Sequence, residues 1–270
     1  MTITEPVPKA PHTPSYEHLS IDEERAAVQV LLDSSPEVIT LTDGPRYALM
    51  VINNDSEFSN LARSVEAEVF SEYFGNDPQL MAEEYGPYED ASTFFLVVDT
   101  EDKRRAGVMR ILRNSSLGFK ATNDVSAMGI TDLEPRQVLE SFGVRSEETT
   151  LEIATIAAAP DYRGEKTDGL VSAAMYRALH KYCHANGYTD LIAIIDAKPL
   201  QNLHDIHLPV RTSPHVQSPF AYLDAKANSL IHIPVYEVEA SMQAHDQDTY
   251  DFLLGDAGFD ALCTLSFVEK

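Results

Sequence analysis

The fold is decided by residues 151–196, LEIATIAAAPDYRGEKTDGLVSAAMYRALHKYCHANGYTDLIAIID. The apolar run that ends at Ala159-Pro160 predicts one strand, and the almost wholly apolar run Leu191–Ile195 predicts a second strand covered on both faces. Between them, apolar residues recur at the spacing of one buried helix face; they are Val171, Ala174, Met175, Ala178, Leu179 and Tyr182. A crossover of this length predicts that the two strands are parallel neighbours, joined right-handedly.

The turn that enters this helix carries a glycine. It reads Tyr162-Arg163-Gly164 and leads to Thr167 and Asp168, either of which can cap the start of the helix. Asn186-Gly187 supplies the end of the helix. A helix start offers free backbone N–H groups and the positive end of the helix dipole, so the turn is suited to a phosphate-bearing ligand.

The charge of the chain is strongly acidic. Among 270 residues, 43 Asp and Glu oppose 20 Lys and Arg, for a formal net charge of −23. This balance disfavours nucleic acid and anionic membrane surfaces as partners, because binding to either needs a basic excess on the protein. It is typical of a solvated, solubilising surface, and adaptation to high salt is the alternative explanation.

Other bulk features predict a cytoplasmic protein without a metal. No apolar run reaches the ~20 residues that span a bilayer, and the N-terminal residues contain no apolar signal core. Cys183 and Cys263 form neither a disulfide framework nor a zinc cluster. His204, His207 and His215 lack the spacing and the acidic partners of a metal site.

The rest of the chain predicts a single domain around the 151–196 unit. Residues 1–19, with four prolines, predict a disordered or loosely attached arm, and residues 20–270 predict one domain with an N-terminal helical extension. Before residue 151 we expect a strand Arg46–Ile52, a helix from Asp55 or Ser56, a hairpin Thr93–Asp99 with Ala106–Leu112, and a short helix Leu133–Ser141. After residue 196 we expect an edge strand Leu230–Val238, a helix Gln247–Leu254 and a strand Ala261–Val268. Residues 197–228 show little periodicity.

The order of these elements, with Ala159-Pro160-Asp161-Tyr162-Arg163-Gly164 between the middle strand and the long helix, resembles the GNAT acyltransferase superfamily. The likeness is strongest over residues 151–210. It implies an α/β (α+β) fold with a mixed, mostly antiparallel central sheet, one parallel strand pair and flanking helices. It also implies a coenzyme A thioester as donor, either acetyl-CoA or another acyl-CoA.

The resemblance further implies which residues bind the donor. Those that would face the pantetheine arm are Ile156, Ala157 and Ala158, and those that would face the pyrophosphate are Arg163, Gly164, Lys166 and Gly169. The family pattern is Arg-Gly-x-Gly-x-Gly or Ala, whereas this turn reads Arg-Gly-Glu-Lys-Thr-Asp-Gly. Lys166 could supply a positive charge directly, but Glu165 and Asp168 would repel pyrophosphate.

A fainter resemblance is to acyl-homoserine lactone synthases and N-acyl amino acid synthases, which take acyl groups from acyl carrier protein. The similar residues are Tyr88-Glu89-Asp90, Ala106–Leu112 and Leu151-Glu152-Ile153. Thr155 stands where those synthases carry an arginine, and the chain has no Trp. This resemblance adds acyl carrier protein as an alternative donor and partner.

Acyl transfer to an amine needs a base and an acid for the leaving thiolate. Alternation places Glu152 on one face of its strand with Ala154 and Ile156, and the resemblance implies that a Glu here is the base or holds the amine. His204 follows the strand ending at Asp196 at the spacing of a tyrosine that often protonates the thiolate in GNAT enzymes. The alternatives are an ion-paired or sheet-edge Glu152 and an ordinary surface His204.

Arg110 could bind a carboxylate of the acceptor bidentately, or it could pair with one of the many acidic side chains of the chain. The leading hypothesis is an enzyme that moves an acyl group from a thioester to a small-molecule amine. The alternative is a GNAT-like domain without catalysis that senses a ligand or binds a protein. The acceptor, the acyl chain length and the oligomeric state stay open.

Overall fold

The computed structural model describes residues 13–34, 46–223, 225–255, 259 and 263–267, the last range through its backbone alone. The helices are α1 Ile21–Asp33, α2 Ser59–Phe74, α3 Pro78–Tyr85, α4 Lys120–Ala127, α5 Pro135–Ser141, α6 Leu170–Asn186, α7 Ala197–Asp205, α8 Val235–His245 and α9 Gln247–Leu253. The strands are β1 Tyr47–Asn53, β2 Ser92–Asp99, β3 Arg104–Arg113, β4 Thr150–Ala158, β5 Asp190–Asp196, β6 Arg211–Thr212, β7 Phe220–Tyr222, β8 Ala225–Pro234 and β9 Cys263–Phe267. None of these helices has the length and apolar character needed to cross a membrane.

The strands form one mixed sheet in the order β6-β8-β5-β4-β3-β2-β1-β9, and β7 pairs with the start of β8. The β4–β5 pair is parallel, as predicted for the two strands joined by the long helix. The β1–β9 pair is also parallel, and the remaining described pairs are antiparallel. The predicted fold class is therefore confirmed: a mostly antiparallel sheet with a central parallel pair and flanking helices.

Helices cover both faces of this sheet. Arg110 of β3 pairs with Glu66 of α2 on one face of the sheet. Gly107 lies three positions before Arg110, so it faces the opposite side, where it contacts α6. A Cβ atom at Gly107 would stand 2.6 Å from Cγ1 of Val171 and 2.9 Å from the carbonyl oxygen of Ala157. Glycine is therefore required where α6 crosses the centre of the sheet.

Residues 13–19, the described part of the predicted N-terminal arm, lie against the domain. The Tyr16 side chain is buried, and its hydroxyl donates to Glu89 Oε1 at 2.6 Å and accepts from Arg110 Nη2 at 2.6 Å. The helical extension α1 then begins with the predicted capping box between Ser20 and Glu23. Residues 1–12 of the predicted arm lie outside the described residues.

The C-terminal part differs most from the sequence-based expectation. The predicted strand Leu230–Val238 is half correct, because β8 starts at Ala225 and ends at Pro234, where α8 begins. Proline has no N–H to donate to a ladder but is tolerated at a helix start. The strand is not at an edge, since β5 pairs on one side of it and β6 and β7 pair on the other. Residues 197–228, without a predicted element, contain α7, β6 and β7.

Candidate active site at the diverging strands

A cleft at the centre of the sheet comes from the divergence of β4 and β5. The two strands pair through only three residue pairs, of which Glu152 with Ile192 is the last. Beyond that pair, β4 continues to Ala158 and β5 to Asp196. The backbone groups of β4 that face β5 in this region therefore border a cleft instead of completing a ladder.

A bulge in β4 changes which side chains enter the cleft. The ladder to β3 shifts by one position, which leaves Ala154 as an extra residue. Glu152 pairs with Leu112 and Ile156 with Met109, and these two β3 residues point to opposite faces because they are three positions apart. The predicted alternation that placed Glu152 and Ile156 on one face is therefore wrong. The inserted residue reverses the face of every residue after it.

A cavity of about 190 Å³ occupies the cleft, and its walls are mostly apolar. The wall on the α6 side includes Tyr176, Leu179 and Cys183, and the wall on the α2 side includes Phe70, Phe74 and Tyr85. Residues 153–156 of β4 and 193–196 of β5 lie between these two walls. Since α2 and α6 cover opposite faces of the sheet, the cavity passes between the diverging strands. Its apolar walls are those of a binding site for an apolar group.

One polar side chain in the cavity wall, that of Asn76, lacks a hydrogen-bond partner in the part of the chain that the structure describes. Asn76, between α2 and α3, is 1% exposed, and neither its side-chain nitrogen nor its side-chain oxygen forms a hydrogen bond within the described residues. A buried amide without partners costs free energy, so such a group is expected to bind a ligand or a water molecule. Sequence reasoning missed Asn76 because a single Asn after Gly75 is an ordinary helix end.

Helix α6 begins without a side-chain cap. Its N-cap is Gly169, in the left-handed region at φ 72°, and no side chain of the described residues caps the helix there. The prediction that Thr167 or Asp168 caps this helix is wrong. The Thr167 hydroxyl donates instead to the carbonyl oxygen of Tyr162 at 3.0 Å. Amide groups in the first turn of α6 therefore remain available to an anion.

The cationic side chains of the turn before α6 are held against the end of β4. Arg163 Nε donates to the carbonyl oxygen of Ala158 at 2.7 Å, and its Nη1 lies 3.3 Å from Glu72 Oε2. Its Nη2 is buried without a hydrogen-bond partner among the described residues. Lys166 Nζ donates to the carbonyl oxygen of Pro160 at 2.9 Å. Gly164 has a φ of 52°, the left-handed conformation that favours glycine.

The structure separates the residues predicted to face pantetheine. Ile156 lines the cavity, whereas Ala157 is buried in the core and is not one of the lining residues. Ala158, at the end of β4, offers its carbonyl oxygen to Arg163. Of the predicted donor-binding set, Ile156 therefore lies in the cavity wall, and Arg163, Gly164, Lys166 and Gly169 form the turn at the start of α6.

Glu152 lies at the closed end of the cleft, with its side chain nearly inaccessible. Both carboxylate oxygens accept from the backbone N–H of Ala121 at 3.0 Å, so Glu152 holds the first turn of α4. Burial raises the pKa of Glu152 to about 7, although the Ala121 amide and the Lys120 ammonium lower it. A carboxyl group with this pKa can exchange a proton near neutral pH, but Glu152 is not one of the cavity-lining residues.

His204 is placed away from the cavity wall. It lies exposed in the last turn of α7, whereas Leu203 of the same turn is buried and lines the cavity. The neighbouring Asp196 caps the start of α7 by accepting from the Ala197 amide at 3.3 Å. Glu152 and His204 are therefore not brought together at one point of the cleft.

Arg110 is part of a buried network of charges. Its guanidinium is fully buried and donates to Glu66 Oε2 at 2.6 Å and to Glu89 Oε1 at 3.3 Å. Thr155, where the resembling synthases carry an arginine, donates its hydroxyl to the same Glu66. Although burial opposes it, Arg63 and Arg110 lower the pKa of Glu89. These contacts are those of a strand arginine paired with acidic side chains of its own chain.

A second polar cluster adjoins Glu152. The Lys120 ammonium donates to Glu84 and Asp124, each at 2.6 Å, and to the Tyr222 hydroxyl at 2.8 Å. Burial lowers the pKa of Lys120, but Asp124 and the other partners raise it overall, so the ammonium stays charged. Tyr222 also lines the cavity. Sequence reasoning missed this cluster, whose members come from three separate parts of the chain.

The chain has the fold of the GNAT acyltransferases. Solved structures with this fold include FeeM, an N-acyl amino acid synthase from uncultured soil microbes, which matches with a TM-score of 0.52 and 14% identity over 75% of this chain and 99% of that chain. TofI, in a ternary complex with an inhibitor and MTA, matches at 0.51 and 14% identity over 76% and 96% of the two chains. The AHL synthase LasI matches at 0.50 and 13% identity over 71% and 91%. No family model and no curated protein matches the sequence.

Proposed function

We propose that this protein is an acyltransferase that moves an acyl group from a coenzyme A or acyl-carrier-protein thioester to a small-molecule amine. The observation that carries the proposal is the divergence of β4 and β5 around an apolar cavity. A thioester donor laid along the edge of β4 would meet backbone groups that no strand pairs. Its acyl chain would enter the space between the strands.

The walls of the cavity favour a chain longer than acetyl. Aromatic and aliphatic side chains from both faces of the sheet surround it, among them Phe70, Phe74 and Leu179. An acetyl group would leave most of this apolar surface in contact with water, whereas each buried methylene contributes about 0.8 kcal/mol to binding. We therefore assign the site to a medium or long acyl group.

The start of α6 supports a donor that carries phosphate. Among the described residues, no side chain caps the helix, and one buried nitrogen of Arg163 has no hydrogen-bond partner. A pyrophosphate or a phosphopantetheine phosphate would accept from such groups. The acidic Glu165 and Asp168 in the same turn oppose the binding of phosphate. They favour the phosphopantetheine of acyl carrier protein, which carries less negative charge than coenzyme A.

The buried amide of Asn76 favours a ligand that carries a polar group. An amide whose donor and acceptor both lack partners within the described ranges would bind a carbonyl, hydroxyl or amide group of the acyl donor or of the acceptor. This group would fix the depth at which the ligand sits in an otherwise apolar cavity. Glu152 stays the candidate base, on the condition that the Ala121 amide releases one of its oxygens when the amine binds.

The second candidate function is ligand sensing without catalysis. Two observations favour it: His204 lies outside the cavity wall, and the backbone N–H of Ala121 occupies both carboxylate oxygens of Glu152. In this case the cleft would bind a thioester or another amphipathic molecule and release no thiol.

Two measurements test these functions. Isothermal titration with CoA, acetyl-CoA and decanoyl-CoA should show the tightest binding for decanoyl-CoA, and thiol release with a panel of amino acids and polyamines should reveal turnover. Ala154→Leu, which narrows the cavity, should abolish decanoyl-CoA binding, whereas Ala185→Leu on the exposed side of α6 should leave it unchanged. Binding without thiol release supports the sensor, and no binding of any thioester, decanoyl-acyl carrier protein included, rejects the proposal.

A further inference from the structure

Two histidines and a glutamate converge beside the cavity. His180 and His184 lie one turn apart on α6, and their Nε2 atoms are 3.0 Å from each other. Glu239 of α8 places its Oε1 atom 3.5 Å from His180 Nε2 and 3.8 Å from His184 Nε2. All three potential ligand atoms therefore lie within one small volume between α6 and α8.

The separations do not fit direct hydrogen bonds to the carboxylate. An imidazole–carboxylate hydrogen bond spans about 2.7–3.2 Å, and both distances from Glu239 are longer than that. The circle through three points separated by 3.0, 3.5 and 3.8 Å has a radius of about 2.0 Å, and bonds from Zn²⁺ to His and carboxylate are about 2.0–2.2 Å long. One ion close to the plane of the three atoms would thus reach all of them at bonding distance.

We infer that His180, His184 and Glu239 form a binding site for a divalent transition-metal ion, with Zn²⁺ as the preferred occupant. Two imidazole nitrogens and one carboxylate oxygen are a donor set that zinc accepts. Three protein ligands leave a fourth position for water or a ligand atom. The spacing of four residues between His180 and His184 is visible in the sequence, but Glu239 lies 55 residues or more from both, so their convergence could not be predicted from it.

An ion bound at this site would stabilise one wall of the cavity. His180 lines the cavity, and so do Val235, Val238 and Met242 of α8. An ion held by both helices would tie α8 to α6 and fix the wall that these residues form. This inference stands independently of acyl transfer, because it needs no thioester.

The rival interpretation is a hydrogen-bonded histidine pair without a metal, with Glu239 as an ordinary surface acid. His184 and Glu239 are about half exposed, so His184→Ala and Glu239→Gln should fold normally. His215→Ala, an exposed histidine on a different part of the surface, is the matched control. Binding of ZnCl₂ to the chelator-treated full-length protein is measured by titration calorimetry, and the tetrahedral absorption of Co²⁺ reports the geometry.

We expect one Zn²⁺ per chain with micromolar or tighter affinity, a tetrahedral Co²⁺ spectrum, and a zinc-dependent rise in melting temperature. His184→Ala and Glu239→Gln should each weaken zinc binding at least about tenfold and remove the rise in melting temperature, because loss of a ligand costs no less than loss of a supporting contact. His215→Ala should bind zinc like the parent. The inference is overturned if the parent binds no zinc at micromolar concentration, or if the His184 variant binds it equally well.

Discussion

Replacement of Asn76 by leucine tests whether the cavity is built around a polar group of its ligand. Both polar atoms of the Asn76 amide are buried, and neither has a hydrogen-bond partner among the residues that the structure describes. Each such atom costs about 1–3 kcal/mol, and removal of both should stabilise the protein. Because the side chain borders a cavity, the extra volume of leucine has space to occupy and adds apolar burial.

We expect Asn76→Leu to raise the free energy of unfolding by about 2 kcal/mol. For a chain of 270 residues, that corresponds to a rise of about 3–4 °C in melting temperature. Urea denaturation without ligand measures the change as a higher midpoint at an unchanged slope. The same variant should bind the preferred donor or acceptor about tenfold more weakly, because the hydrogen bond to the ligand is lost.

Asn228→Leu is the matched control for this prediction. Asn228 is also buried and also lines the cavity, but its amide nitrogen donates to the carbonyl oxygens of Phe220 at 3.4 Å and Ala225 at 3.1 Å. Its replacement should therefore destabilise the protein by about 1–3 kcal/mol, opposite in sign to the effect at position 76. If Asn76→Leu is as destabilising as Asn228→Leu, the Asn76 amide already has a partner, and the reasoning is refuted.

Three further predictions concern the elements that position the cleft. In the parent, the raised pKa of Glu152 keeps the folded state protonated after the unfolded state ionises, so the free energy of unfolding should fall by roughly 3 kcal/mol between pH 4.5 and 7. Glu152→Gln should remove this fall, so that urea midpoints of the two proteins converge at low pH and separate as the pH rises. Parallel curves would show that the pKa of Glu152 is not raised. Glu66→Gln removes the closer of the two carboxylates that pair with the buried Arg110 and should lower the free energy of unfolding by about 3 kcal/mol, measured by urea denaturation; a loss under about 1 kcal/mol would show that Glu89 alone compensates the charge of Arg110. Gly107→Ala should lower the free energy of unfolding by about 1–3 kcal/mol, because the added Cβ would collide with α6 and β4. Gly86→Ala, whose Cβ would have open space around it, is the control and should leave stability unchanged. Equal melting temperatures for the two variants would disprove close packing at Gly107.

Local patterns predicted the frame of the fold. The apolar repeat after Gly169 belongs to one helix, and the apolar runs on either side of it form the parallel strands β4 and β5. Such patterns are readable because a helix or a buried strand imposes its own period on neighbouring residues. The hairpin of β2 and β3 was predictable for the same reason.

The bulge at Ala154 was not readable from the sequence. Its effect depends on the register between β3 and β4, which hydrogen bonds between distant residues decide. A single inserted residue then determined that Ile156 and Glu152 point to opposite faces. The roles of these two side chains therefore required the tertiary structure.

The sequence by itself determined the β4–α6–β5 unit, the β2–β3 hairpin and the acidic character of the chain, because periodicity and composition are properties of the chain alone. Only the tertiary structure decided which charges are buried together, as when Tyr16 meets Arg110 across 94 positions of sequence. The same holds for the convergence of Glu239 with the two histidines of α6. The partners of buried or clustered polar groups depend on how helices and strands pack against one another. This packing joins residues that are distant in the sequence, so it produces no periodic pattern there.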